Sequence, residues 1–401
     1  MITCAIQIGS SRILAIAANK DVRNGKFSNI QLESEPARDC INHGYITNIE
    51  QTAMHLHSII QKLGNRMRTH ISSAYLGIGG MSLHSLEQLP TVQLSDYDIL
   101  ASEVITGNKY QLTIARKQLR QRAVAAMERA GIEVSDVIAI PQATATILTD
   151  KEREQGCVLI DMGAGTTTVS VFKDNDLRHL AVIPLGGDTV TRDIQSAGCS
   201  YDDAERIKIE WSNVAHEVTA ESAGSKSAAL FADKTLPFPL SQLNNIALCR
   251  YEEIADNVMH QIEVSGLKDQ LRGGCVLTGG AAAQSGLTAL LGRRLANLRI
   301  EVRAYNEPAM LGSERKPHLT NILGLLSFCD KDCQAPAKPV APAQPASAAA
   351  RPAAPAAQPA GQTTFEIPDA EDDPTTKAPD PENGFLRSSI TRFVKDLFTG
   401  Q

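Results

Sequence analysis

The stretch LIDMGAGTTTVSVF, residues 159–172, ends an apolar run on an aspartate, then alternates glycines and follows them with three threonines. Gly163 and Gly165 let the backbone approach a ligand closely. The N–H groups of such a turn, with Thr166 and Thr167, offer donors to phosphate oxygens. Asp161 is placed to hold a divalent cation, through water because magnesium gives up its shell reluctantly. Alone, the pattern also fits a tight turn and nothing more. Two companions strengthen the phosphate reading. AVIPLGGDTVTRDI (181–194) sets Gly186 and Gly187 before a helix, and VLTGGAAAQSGL (276–287) sets Gly279 and Gly280 before another. A helix N-terminus preceded by glycines suits a phosphate or the polar parts of a nucleotide.

An earlier stretch echoes the first. AIQIGSSRILAI aligns with LIDMGAGTTTVSV at an offset of 154, Gln7 on Asp161 and Gly9 on Gly163. Two like hairpins in two halves predict two related domains facing each other across a cleft. Helical patterns at 51–68, 115–131 and 251–267 alternate with strand-like runs, which makes the class α/β, a mixed sheet flanked by helices in each half.

At 401 residues the chain is long enough for two or more cores. Its net charge of -6 argues against nucleic acid as a partner. Eight cysteines stand singly in mostly apolar surroundings and read as reduced thiols. Cys329 and Cys333 in FCDKDC come close in sequence, but with no histidine nearby they also read as plain thiols rather than a metal site. No window reaches the roughly 18 apolar residues of a membrane span. The N-terminus lacks a basic-then-apolar signal layout, so the chain is expected in the cytoplasm.

The composition changes sharply near residue 331. Residues 335–360 are almost wholly Ala, Pro and Gln, and 366–382 add acidic residues and more proline. Such a segment builds no core and reads as an extended spacer. The closing NGFLRSSITRFVKDLFTGQ is different. On a helix, Leu386, Ile390, Phe393, Val394, Leu397 and Phe398 share an arc of roughly 140°, with Arg392 and Lys395 opposite and Arg387 at the edge. With Phe385 at its start, this segment reads as an interfacial helix for an anionic lipid membrane; folding back onto the body is the alternative.

Together the motifs resemble the actin, Hsp70 and sugar-kinase superfamily, in the order first phosphate hairpin, second phosphate hairpin, LTGG turn. More narrowly, IDMGAGTTTVSVF, IPLGGDTVTRDI, DDAERIKIEW and VLTGGAAAQSGL are similar to the bacterial cell-division FtsA family, over about residues 1–328. The resemblance implies an actin-like ATPase fold with ATP and magnesium between two lobes: 1–156, and 157–330 with a small inserted subdomain at 212–248. A linker, 331–383, and a membrane-targeting helix, 384–401, follow. By matching motif, Gly9, Ser10 and Ser11 form the first phosphate loop, and Asp161, Gly163, Gly165, Thr166 and Thr167 the second. Gly186 and Gly187 lie near the phosphates. Glu205 and Lys208 face ribose and base, although their spacing equally fits an exposed helix pair. Gly279, Gly280 and Ala281 pass beneath the adenosine. The family also implies self-assembly into a polymer, a site at the cytoplasmic face of the membrane where the cell divides, and a grip on the C-terminal peptide of the tubulin-like FtsZ, with Arg250 as the candidate contact.

The sequence departs from the family in several places. Gln7 replaces the first-loop aspartate, and an amide neither carries charge nor serves as a base, so at most a slow ATPase is expected. Thr168 and Ala281 replace a further aspartate and a third glycine. Only residues 81–114 fill the space of the first lobe's inserted subdomain, with PTVQLSDYDILASEVI expected as one strand and a short helix. A pilus-assembly adaptor of the PilM kind shares the core but usually lacks the tail. A sugar-kinase-type phosphotransferase would need an acidic base that no motif here supplies.

Overall fold

The computed structural model describes residues 1–88, 95–106, 109–215, 238–295, 298–305 and 316–334. Strands β1 (Ile2–Ile8), β2 (Arg12–Lys20) and β3 (Phe27–Pro36) form an antiparallel meander. A two-residue-strand hairpin, β4 (Ile41–Asn42) with β5 (Tyr45–Ile46), leads into α1 (Ile49–Met67) and then β6 (Ser73–Ile78), parallel to β1. Three strands, β7 (His84–Gln88), β8 (Tyr97–Thr106) and β9 (Lys109–Arg116), make a small antiparallel sheet of their own. Helix α2 (Lys117–Arg129) then returns the chain to β10 (Glu133–Ala139), parallel to β6, and α3 (Ile140–Thr144) and α4 (Asp150–Gln155) follow.

The second half repeats the plan. Strands β11 (Cys157–Met162), β12 (Thr167–Lys173) and β13 (Asp176–Ile183) form another antiparallel meander. Helices α5 (Gly187–Gln195), α6 (Tyr201–Trp211) and α7 (Leu240–Val264) lead to β14 (Gly274–Thr278), parallel to β11. Helix α8 (Leu287–Arg294), β15 (Ile300–Val302), parallel to β14, and α9 (Thr320–Ser327) complete the elements. The two sheets have the orders β3-β2-β1-β6-β10 and β13-β12-β11-β14-β15, the same arrangement strand for strand.

The repeat holds at the level of register. Gln7 stands opposite Leu14 and Ile8 opposite Ile13; Asp161 stands opposite Thr168 and Met162 opposite Thr167. The offset read from one pair of strands therefore relates both hairpins in full.

Local sequence explains the elements. Helix α1 starts where the Asn48 side chain accepts from the Gln51 N–H at 3.0 Å, and Ala53, Leu56, Ile60, Leu63 and Met67 form its buried stripe. It stops at Arg68, whose φ of 54° is left-handed. In β11 successive side chains point to opposite faces. Val158, Ile160 and Met162 enter the core under α7, while Cys157 and Leu159 join the core that contains the first sheet. Each fully buried Leu or Ile contributes about 1.5–3 kcal/mol.

Three sequence expectations meet a different arrangement. The space at 81–114 holds a three-stranded sheet. Within it Tyr97–Thr106 is all strand, and no helix occurs among the described residues of that stretch. The reason lies in β9, whose consecutive Gln111, Leu112, Thr113 and Ile114 are all buried, so it needs a partner on each edge. Residues 240–248, expected inside the second lobe's insert, are the first turns of α7, and 216–237 lie outside the described residues. Helix α9 follows the second sheet in sequence but packs on β1, β2 and β6. Beyond it, the Cys333 N–H donates to Ile2 O at 2.8 Å and Ser72 N–H to Cys333 O at 3.0 Å, fastening the chain to the first sheet. From residue 335 onward, the expected linker and the helix at 384–401 lie outside the described residues.

Candidate functional site

The two hairpins close in the same way. In the first, the Gly9 N–H donates to Arg12 O at 3.1 Å; in the second, the Gly163 N–H donates to Thr166 O at 2.9 Å. Their tips meet. A methyl group on Gly165 would lie 2.5 Å from Ser10 Oγ and 2.8 Å from Ser10 Cβ, so only glycine permits this approach. Ser10 Oγ in turn accepts from the Gly44 N–H at 2.9 Å. Ser11 lines an open cleft of about 650 Å³ with Arg12, Arg38, Asp39 and, from α6, Asp202, Glu205, Arg206 and Ile209. That volume lies within the range of small-ligand sites.

Asp161 is the last residue but one of β11 and is buried. Its Oδ2 accepts from Asn321 Nδ2 at 2.7 Å, while Oδ1 is buried with no hydrogen-bond partner among the described residues. Burial pushes its carboxyl above the usual carboxylate range, and the Asn321 bond opposes that only in part. At the matching place in the first hairpin, Gln7 Oε1 is likewise buried, with no hydrogen-bond partner among the described residues. A buried lone carboxylate oxygen beside two glycine-rich turns fits a cation with its phosphate ligand. Asp161 has the charge for this and Gln7 does not.

The LTGG turn sits against this carboxylate. Gly279 has φ 91°, and a Cβ there would lie 2.5 Å from Asp161 Oδ1. Gly280 and Ala281 continue it as a short 3-10 helix, with Ala281 Cβ near Gly187.

Helix α5 is closed by the second hairpin rather than open to an anion. The Gly187 N–H donates to Gly163 O at 3.0 Å and the Asp188 N–H to Ala164 O at 2.8 Å. Gly186 therefore lies at the phosphate turn, yet these two amides are already engaged. Thr167 is fully buried and its hydroxyl donates to Leu185 O at 2.8 Å, which leaves Thr166 as the hydroxyl at the tip.

Glu205 and Lys208 are not an exposed pair. Lys208 is buried, and its ammonium donates to Gly187 O at 2.9 Å, Thr191 Oγ1 at 2.7 Å and Glu205 Oε2 at 2.7 Å. Burial lowers its pKa, with Glu205 working the other way. The pair ties α6 to α5, and Glu205 also lines the cleft. Arg250 lies within α7. It makes a two-pronged bond to Asp193 at 2.6 and 3.1 Å and reaches Glu253, so its guanidinium joins α7 to α5.

Sequence reading missed several groups. Arg38, from the first half, stacks over the Tyr201 ring at 4.0 Å and approaches Asp202 at 3.7 Å, while the Tyr201 hydroxyl donates to Asp188. Thr144 Oγ1 lies 2.7 Å from Asn321 Oδ1. The polar pair Thr320–Asn321 opening an otherwise apolar helix was the available signal. The residues expected at a membrane, within Phe385–Phe398, lie outside the described residues. No helix among the described residues is long and apolar enough to cross a membrane.

Two family models match parts of the chain. The family model for Cell division protein FtsA matches residues 158–324, and that for Type IV pilus assembly protein PilM matches 88–220. The chain is 29% identical over 328 residues to the Cell division protein FtsA of Porphyromonas gingivalis, covering 70% of this chain and 68% of the relative. To that of Pseudomonas aeruginosa it is 24% identical, covering 80% and 88%; to that of Bacillus subtilis it is 33% identical, covering 58% and 50%. Among solved structures, the PilM–PilN type IV pilus biogenesis complex superposes with a TM-score of 0.60 at 15% identity, covering 81% of this chain and 97% of the other. MreB 5 of Spiroplasma citri bound to AMPPNP superposes at 0.51 and 13% identity, covering 80% and 94%. These likenesses establish the actin-like ATPase fold.

Proposed function

We propose, from the premise that this chain belongs to the FtsA family of actin-like cell-division proteins, that it binds ATP between its lobes, self-assembles, and tethers the FtsZ ring to the inner face of the membrane. The observation that carries the nucleotide part is the contact of the two hairpin tips beside the unpartnered Oδ1 of buried Asp161. Ser10, Ser11, Thr166 and the turn amides other than those of Gly9, Gly163, Gly187 and Asp188 would donate to phosphate oxygens. Asp161 would hold a magnesium ion through its water shell, and the turn Gly279–Ala281 would face the adenosine. When bound, the ion supplies positive charge that offsets repulsion among the phosphates. Gln7 takes up no proton and holds no charge, so ATP serves as a structural ligand or slow assembly switch.

The terminal helix, with Phe393 and Leu397 in lipid and Arg392 and Lys395 toward anionic headgroups, is the tether. One short helix binds weakly, so many copies in a polymer act together. A pilus-assembly role is the second reading, favoured by the PilM match over 88–220; the amphipathic tail supports division instead. The test is a fluorescent fusion in the native cell, with and without residues 384–401. A mid-cell band lost on truncation supports the reading, and diffuse or polar signal from the full chain overturns it.

A further inference from the structure

Asp161 belongs to the second sheet, but the group that holds it does not. Asn321 stands in the first turn of α9, whose Ile322, Leu325 and Leu326 are buried in the core of the first sheet. Its amide is oriented by its two neighbours. An ionised carboxylate only accepts, so Nδ2 faces Asp161 Oδ2 at 2.7 Å, and Oδ1 takes the Thr144 hydroxyl at 2.7 Å. Thr144 is fully buried on α3, directly after the first sheet's edge strand β10, and its hydroxyl also lies 2.8 Å from Ile140 O.

We infer that Asn321, steadied by Thr144, is a positioning residue that fixes the Asp161 carboxylate with Oδ2 engaged and Oδ1 turned to the cation. Because Asn321 and Thr144 ride on elements packed with the first sheet, while the neighbouring Thr320 takes the Thr278 hydroxyl of β14 at 2.8 Å, the bond to Asp161 stands at the junction of the two lobes. Cation retention at Asp161 is thereby coupled to the arrangement of the lobes. The inference rests on the nucleotide reading above.

The experiment titrates magnesium against the full-length protein with a fluorescent ATP analogue as probe, in parallel with the same analogue in EDTA. In the wild type, magnesium strengthens analogue binding. In Asn321→Ala the half-saturating magnesium concentration rises on the order of tenfold. Thr144→Val moves it the same way by less, and Thr144→Ser, which keeps the hydroxyl, stays at the wild-type value. Thermal unfolding of each variant confirms folding; if Asn321→Ala does not fold, the Thr144 pair decides. Wild-type magnesium dependence in Asn321→Ala, or in Thr144→Val when that pair decides, overturns this inference alone. Absence of analogue binding by the wild type in both conditions overturns the nucleotide reading and this inference with it.

Discussion

Ser10 and Gly165, at the tips of hairpins 154 positions apart in the repeat, touch across the two lobes, with no room for a Cβ on Gly165. Gly165→Val must push the turns apart. The expected cost is about 1–3 kcal/mol of stability, read as a lowered Tm, together with weakened binding of a fluorescent ATP analogue. Unchanged Tm and unchanged binding would show that the tips do not meet in solution.

Gln7 occupies the place in the first hairpin that Asp161 occupies in the second, and its Oε1 has no partner among the described residues. Gln7→Asp adds the missing charge. Phosphate release by this variant is expected to exceed that of a nearly inactive wild type. Brisk turnover by the wild type would contradict the slow-switch view.

The hairpins were legible because their determinants are local: alternating apolar residues, a glycine at the turn, and a repeat whose offset survives in the register. The same locality explains what was not legible. Glu205 and Lys208 look like a surface pair at helical spacing, and only the packing of α6 on α5 buries the ammonium against Gly187 and Thr191. Asn321 is far from Asp161 in sequence, so nothing near either residue announces their bond. Residues 90–105 mix apolar and acidic side chains without a clear period, and the strand that begins within them, Tyr97–Thr106, is settled by pairing with β9.

Arg303 and Glu152 form a largely buried two-pronged ion pair at 2.8 and 2.9 Å, joining the end of β15 to α4. Arg303 holds the Glu152 carboxyl down to about 2 from an ordinary value of 4.5. A depressed carboxyl stabilises the fold fully above its unfolded value and loses that contribution as pH falls toward 2. The stake is about 2–3 kcal/mol. Urea unfolding from pH 6 to pH 2.5 should therefore show a shallower acid limb in Glu152→Gln, which is less stable at pH 6. Parallel limbs in the two proteins would count against the pair.

The tail yields its own expectation. Phe393→Glu with Leu397→Glu places two charges in the apolar face, each costing on the order of 2 kcal/mol or more. Co-sedimentation with anionic liposomes should be lost, and high salt should weaken it in the wild type. Undiminished sedimentation of the double variant would remove the tether.

Nucleotide binding at the paired hairpins is tested most directly by calorimetric titration of the full-length protein with ATP and magnesium, wild type beside Asp161→Asn. The paired hairpins predict wild-type binding with Kd of roughly 1–100 μM, weakened by EDTA, and an Asp161→Asn protein in which magnesium no longer strengthens binding. No heat from the wild type, or undiminished magnesium dependence in Asp161→Asn, would contradict it.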